Sequence, residues 1–203
     1  MKMETLEKKE TVRGFNLEIQ ENPSKEVQAV YDWYNEIFQF VPNLGKLLSN
    51  SDAALLSYTH MQWHLEKLGN LTPEENNIVQ LTIAIENECK YCTAGHTLAG
   101  KVLFGSADAD LNALRSRTAL SNEKFNALHE FTKAVYNSNG RVSDAVLENF
   151  RNAGYNNSQA LDVITNISAK VLSNLANQLA INEVDEPIQP FAQGLEGFSS
   201  DYR

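Results

Sequence analysis

Residues 71–105 read LTPEENNIVQLTIAIENECKYCTAGHTLAGKVLFG, and how this stretch is read decides the fold. Thr72-Pro73-Glu74-Glu75 is a helix-opening signature. Threonine can cap the first amides, proline suits the first helical position, and a glutamate three residues on can close a capping box. Apolar residues then recur at three- and four-residue spacing, the period of an α-helix. The pattern breaks at the two cysteines, where a second helix can start at Cys89, and Gly105 is placed like a helix-terminating glycine.

The same grammar holds along the rest of the body. Ser24 opens KEVQAVYDWYNEIFQF, which Pro42 closes, and Ser51 opens DAALLSYTHMQWHLEKL, which Gly69 ends. Ser106, Ser121, Ser143 and Ser158 are further candidate caps, and Gly154 a further terminator. No alternating apolar run is bounded by hairpin turns, so the expected fold class is all-α. Residues 1–23 are polar without clean periodicity and read as a flexible N-terminal arm. Residues 24–185 read as a single helical domain, and 186–203, with Pro187, Pro190, Gly194 and Gly197, read as a C-terminal tail.

A weak internal repeat runs at an offset of about 49 residues. Leu71-Thr72 recurs as Leu120-Ser121, Asn77 as Asn126, Leu98 as Leu147 and Gly105 as Gly154. Two related helical units, approximately 71–119 and 120–168, would each read helix, break, helix, glycine, helix. Neither is large enough to bury its own apolar face, so the two are expected to pack together.

Composition narrows the function classes. The 203 residues are 42% apolar, with 17 Lys+Arg against 26 Asp+Glu, a formal charge of −9. A net negative chain without a basic run lacks the footprint that neutralises phosphates, so no nucleic-acid partner is expected. No apolar run approaches the ~20 residues that span a bilayer, so no membrane association is expected. The opening MKMETLEKKETVRG has no apolar stretch after its lysines. It does not read as a signal peptide, and the expected compartment is the cytoplasm, where thiols stay reduced.

The two cysteines are Cys89 and Cys92. On a helix, Cys89, Cys92 and His96 fall at i, i+3 and i+7, on one face. Unpaired amides and the dipole at a helix start favour a thiolate, and an imidazole one turn on can take the Cys92 proton. A Cys-x-x-Cys pair closes too short a loop to staple a fold, but it can cycle between dithiol and disulfide. A zinc site would need a fourth ligand beyond Cys89, Cys92 and His96. His60 and His64 could complete it, and an inert pair of core cysteines is the other alternative.

Residues about 40–185 resemble the carboxymuconolactone decarboxylase-like family, in its AhpD-like alkyl hydroperoxidase and peroxidase-related branch. The matching pieces are Val41-Pro42-Asn43, Leu71-Thr72-Pro73 through Ile78-Val79 to Asn87, Cys89-x-Tyr91-Cys92-x-x-x-His96, and Gly105. Gly140-Arg141-Val142-Ser143-Asp144 through Gly154-Tyr155 to Asn174 and Asn177 resembles the longer members. The resemblance implies an all-helical fold of repeated units and a homo-oligomer, trimer or hexamer. It implies reduction of a hydroperoxide substrate through a thiol–disulfide cycle, with a dithiol, thioredoxin-like or lipoyl reductant and no cofactor or metal. By that analogy Cys92 attacks, Cys89 resolves and His96 belongs to a proton relay. A non-catalytic module with a zinc-binding or redox-sensing site is the alternative, as is the lactone decarboxylase chemistry of the same family.

One position departs from the family. A relay glutamate usually stands twelve residues before the first cysteine, where this chain has Asn77. An amide cannot accept a proton as a carboxylate does. Glu74 and Glu86 are the substitutes within a turn of the relevant positions, and Tyr91 inside the motif is a further relay candidate. On this reading Asn77→Glu should lower the Cys92 pKa and raise the peroxide rate. His60 and His64 flank the stripe Leu55, Tyr58, Met61, Leu65 and Leu68 and are expected at a rim. Trp33 and Trp63 are expected in the core or at a subunit interface, and His129 shows no partner. Asn70, Asn156 and Asn166 head glycosylation sequons that carry no meaning in the cytoplasm.

Overall fold

The computed structural model describes residue 20 and residues 22–198. The described residues form helices α1 (Lys25–Phe38), α2 (Asn43–Leu48), α3 (Asp52–Leu68), α4 (Pro73–Glu86) and α5 (Lys90–Leu98). A π-helical turn, Ala99–Phe104, prolongs α5. Then come α6 (Asp108–Arg115), α7 (Glu123–Asn137), α8 (Asp144–Asn152), α9 (Asn157–Ala180) and a 3₁₀ turn, Glu186–Ala192. There is no strand among the described residues, as the absence of alternating patterns requires.

Helix α4 is the axis of the fold. Its capping box forms as expected: Thr72 accepts from the Glu75 amide, and Glu75 accepts from the Thr72 amide. Every residue from Glu75 to Ile85 is buried, because α5, α7 and α9 pack around it. Ile78, Leu81 and Ile85 meet Leu128, Phe131 and Val135 of α7 in the larger core. Phe131 stacks on Phe150 with centroids 4.0 Å apart, and Phe150 on Tyr155 at 4.7 Å. A second core joins α1–α3 to the start of α5. Val27, Tyr31, Tyr34, Leu44, Leu47 and Leu55 pack over Cys89, Tyr91 and Cys92. The first three helices thus form the lid of the cysteine site.

Helix α9 is inside out. Asn166, Lys170, Ser173, Asn174 and Asn177 are buried, whereas Leu161, Ile164, Leu175 and Leu179 face outward. Apart from Asn174 Nδ2, its buried side-chain polar atoms find partners. Gln80 donates to Asn166 (2.7 Å) and exchanges bonds with Gln62, and Asn166 donates to Asn76 (2.8 Å). A buried amide costs free energy unless it is bonded, so this ladder sets the register of α9 on α4.

Several local expectations shift. Ser24, Ser51 and Ser143 cap as read. Asn122 replaces Ser121 and Asn156 replaces Ser158 as caps, and Ala107 stands where Ser106 was expected. Asn and Ser compete nearly equally for the cap position, so adjacent candidates are not separable by type alone. The stretch from Ser24 also ends earlier than its pattern, at Phe38, and a separate short α2 follows Pro42. The N-terminal arm lies almost wholly outside the described residues. The stretch from Glu186 does not hang free as far as Phe198. Ala192 and Leu195 are buried against Ala94, and Arg115 binds the carbonyls of Phe191 (2.7 Å) and Gln193.

Candidate redox site

Helix α5 starts where the α4 chain reverses. Glu88 adopts a positive φ of 51°. The Glu88 amide bonds to the Ile85 carbonyl (3.0 Å) and the Cys89 amide to the Ala84 carbonyl (2.9 Å). Arg117 braces the turn, donating to the Ile85 carbonyl (2.9 Å) and to Glu88 (3.1 Å). Cys89 is the residue preceding the helix, and Cys92 falls in its first turn, where amides and dipole favour an anion.

Both cysteines are free and buried, with exposures of 1% and 3%. Hydrogen bonding between the two thiols shifts them in opposite directions. The bond from Cys89 brings the Cys92 thiol below its ordinary value, helped by Lys170, Ser173 and Asn177 against the burial that opposes it. The same bond, with burial, pushes Cys89 well above its ordinary value. Asn177 donates its side-chain amide to Cys92 Sγ at 3.2 Å and is itself held by Asn182 (2.8 Å). Ser173 Oγ stands 3.9 Å from the sulfur.

His96 is clamped from two sides. Asn77 Nδ2 donates to the His96 carbonyl (3.1 Å), which turns Asn77 Oδ1 to the ring, 2.8 Å from Nδ1. An amide oxygen only accepts, so Nδ1 carries the proton. Nε2 is then the lone-pair nitrogen, and Lys170 Nζ lies 2.8 Å from it. Burial and the Lys170 charge hold His96 well below the usual imidazole range, so the ring is neutral.

Lys170 is 1% exposed. It reaches Tyr58 Oη at 3.5 Å, with the tyrosine ring 5.5 Å away. Among the described residues, no carboxylate pairs with it. Burial opposes its ammonium, but Tyr58 and Cys92 more than offset this and hold its pKa above the ordinary lysine value.

The structure joins Asn77 to His96 and sets Cys89 and Cys92 at the start of the same helix, and the other candidates make their contacts elsewhere. Glu86 accepts from Asn137 of α7 (3.0 Å). Glu74 lines an outer groove with Leu103, Phe104 and Lys124. The carboxylate that α4 buries is Glu75, which takes Tyr155 (3.0 Å) and Lys124 (2.8 Å) and is far from being a solvated surface group. Tyr91 is a latch rather than a relay: it donates to Asp185 (2.5 Å) and accepts from the Leu44 amide (3.3 Å). His60 and His64 are exposed as read. Trp33 and Trp63 are 39% and 50% exposed and so stand outside the core. His129 does have a partner, Thr82 Oγ1 at 2.8 Å. The zinc alternative meets a chemical obstacle. Both His96 nitrogens are occupied, one by a cation, and no group of three or more His, Cys, Asp or Glu among the described residues could hold a metal.

Lys170, Tyr58 and Ser173 are the site residues that the sequence reading missed. The signal available was the spacing of Asn166, Lys170, Ser173 and Asn177, which share one helical face. That face is polar and opposite Leu161, Ile164, Leu175 and Leu179, so amphipathicity alone sends it to solvent.

No family model and no curated protein matches this sequence. Solved structures do. An uncharacterized peroxidase-related protein from Silicibacter sp. superposes with a TM-score of 0.75 at 19% identity, covering 91% of this chain and 97% of that one. The AhpD core of a peroxidase-related protein from Ralstonia eutropha gives 0.76 at 17% identity, covering 87% and 94%. The debrominase Bmp8 gives 0.69 at 14% identity, covering 88% and 96%. At these identities the likeness is one of architecture, and the chain has the AhpD-like all-helical fold.

Proposed function

We propose that this protein is a thiol-dependent peroxidase in which Cys92 attacks a hydroperoxide and Cys89 resolves the product as a disulfide. The observation that carries the reading is the paired environment of the two thiols. Cys92 accepts a hydrogen bond from the Asn177 side chain and is favoured as an anion by the helix start and the Lys170 charge, whereas Cys89 has its pKa raised and keeps its proton. One sulfur is thereby made nucleophilic while the other waits as a thiol, the division a two-cysteine cycle needs. A dithiol reductant restores the pair by exchange. Self-association through apolar surface such as the outer face of α9 is part of this proposal. No helix among the described residues is long and apolar enough to cross a membrane, in keeping with the proposed cytoplasmic setting.

The test is rapid mixing of reduced protein with hydrogen peroxide and with alkyl hydroperoxides, followed by thiol counting. One disulfide should form per chain, much faster than with free cysteine at the same pH. Reaction no faster than free cysteine would refute the reading. Likeness to Bmp8 favours a second one, thiolate attack on a brominated pyrrole, and release of bromide from 2,3,4-tribromopyrrole by the reduced protein would select it.

A further inference from the structure

The site holds a buried lysine and two buried cysteines. Lys170 is enclosed, unpaired with any carboxylate among the described residues, and directed at the lone pair of a neutral imidazole. The imidazole cannot hand a proton onward, because its Nδ1–H ends on the Asn77 oxygen. A proton leaving Cys92 therefore has no exit through His96 and Asn77. The Lys170 ammonium contacts Tyr58 from α3 and His96 from α5 and lies within electrostatic reach of Cys92 and Cys89, while Ser173 donates to the Lys170 backbone carbonyl.

We infer that Lys170 is the charge partner and proton carrier of Cys92, with the neutral His96 serving to hold the lysine in place rather than to act as the base. The inference deepens the proposed function and rests on its thiol–disulfide cycle. In the reduced state a Cys92 thiolate faces a Lys170 ammonium, and the buried pair is neutral overall. When the thiolate attacks a hydroperoxide, the S–O bond forms as the O–O bond breaks. The alkoxide that leaves takes its proton from Lys170. The Cys89 sulfur then displaces the hydroxyl from the Cys92 sulfenic acid, the S–S bond forms, and the Cys89 proton departs with that hydroxide as water. The disulfide carries no charge, so Lys170 is left as an amine, since a buried ammonium without a counter-ion is strongly disfavoured. A dithiol reductant returns two electrons and two protons, one to Cys89 and one to Lys170, and leaves as its own disulfide.

This accounts for Asn77. A carboxylate beside His96 serves a site whose positive charge sits on the imidazole. Here the positive charge sits on Lys170, and a neutral amide that fixes one tautomer is what the geometry calls for.

The experiment follows the reduced and disulfide forms without peroxide, so its outcome is independent of whether peroxide is the substrate. Two quantities are read near pH 7: the thiolate ultraviolet band of the reduced protein, and the protons taken up per disulfide reduced by a trialkylphosphine, corrected for the reagent's own protons. The wild type should show a thiolate and still take up two protons, because Lys170 gains the second. Lys170→Arg keeps the charge but cannot release a proton, so it should keep the thiolate while uptake falls toward one. Lys170→Met should weaken the thiolate, with Cys92 titrating at least about ten-fold higher in hydroxide activity terms, one pH unit. A wild type that shows the thiolate and takes up one proton overturns the inference, as does a folded Lys170→Met with an unchanged thiolate titration. Normal results here with no peroxide reaction would instead overturn the peroxidase reading.

Discussion

Lys170 Nζ lies 2.8 Å from His96 Nε2, so the one lone pair of the imidazole is already engaged. A histidine so held is a poor base for Cys92, and this revises the expectation for Asn77→Glu. The carboxylate would sit beside Nδ1–H and draw positive charge onto the ring, at the expense of the neighbouring ammonium. It adds no net cation near Cys92. The variant should raise the His96 pKa, seen by NMR titration, without speeding reaction with peroxide. A rate increase of ten-fold or more, about 1.4 kcal/mol in the barrier, would restore His96 as the base.

The cysteines should divide their work. Cys92→Ser should abolish reaction with hydroperoxide, because it removes the sulfur that Asn177 and the helix start favour as an anion. Cys89→Ser should react once and stop at a sulfenic acid, which mass spectrometry after trapping reads directly. The pH profile of the wild-type reaction, in which the bond from Cys89 is intact, has a definite sign. Cys92 has a lowered pKa, so the rate should already be near its plateau below the ordinary thiol value and fall as the solution is acidified further. A rise continuing through pH 8.5, the region of a free thiol, would contradict the environment described here.

How much of this was legible in the sequence follows from the kind of signal each part leaves. The α4 capping box is a local pattern and folds as it reads, and a helix does start beside the cysteines, with Cys89 as its cap rather than its first residue. Asn77 meets His96 as the family resemblance implied, although they are 19 residues apart. Lys170 lies 74 residues from His96 on a helix whose polar face turns inward, and no periodicity says which face that is. Glu74 reads as a relay substitute because it lies one turn before Asn77, whereas nothing in a capping glutamate such as Glu75 tells whether it is solvated or enclosed by Tyr155 and Lys124.

Inversion of α9 bears on assembly. Leu161, Leu175 and Leu179 are 65%, 57% and 60% exposed on one helix, and clustered outward leucines of this kind mark contact surfaces. Light scattering at micromolar concentration should give a mass above the 22.7 kDa of one chain. The double variant Leu175→Glu, Leu179→Glu should shift the mass toward the monomer while keeping the helical circular-dichroism signal. A wild type of monomer mass would contradict self-association.

Glu75 should set part of the acid stability. Burial works against its carboxylate, but Lys124, the Thr72 amide and Tyr155 outweigh it and leave the pKa below the ordinary value. A group depressed on folding stabilises above its unfolded pKa, about 4.3 for glutamate, and loses that contribution as pH falls through the folded value. Glu75→Gln should therefore be less stable than wild type at neutral pH, by about 1–3 kcal/mol for a buried acceptor network left incomplete. The gap should close below about pH 4 in denaturant titrations. A gap that widens on acidification would mean that Glu75 is protonated in the folded protein.

Gly100 connects the backbone after α5 to the clamp on His96. It lies in the π-helical turn, and a Cβ built on it would come within 2.7 Å of Leu111 Cδ2 and 2.9 Å of Asn77 Nδ2. Leu111 is itself buried, so the methyl cannot be absorbed by swinging that side chain into solvent. Asn77 Nδ2 is the atom that donates to the His96 carbonyl and so fixes which end of the amide faces the ring. Gly100→Ala should displace that amide, free the imidazole tautomer and let Lys170 drift from Nε2. The stability cost of such overpacking is about 1–3 kcal/mol, which leaves a folded protein to assay. The informative readout is the ring: NMR should show the Nδ1–H tautomer of His96 giving way to a mixture, together with a weaker Cys92 thiolate band. A Gly100→Ala protein that loses stability while keeping one tautomer and a full thiolate would mean that the Asn77 clamp does not govern the site.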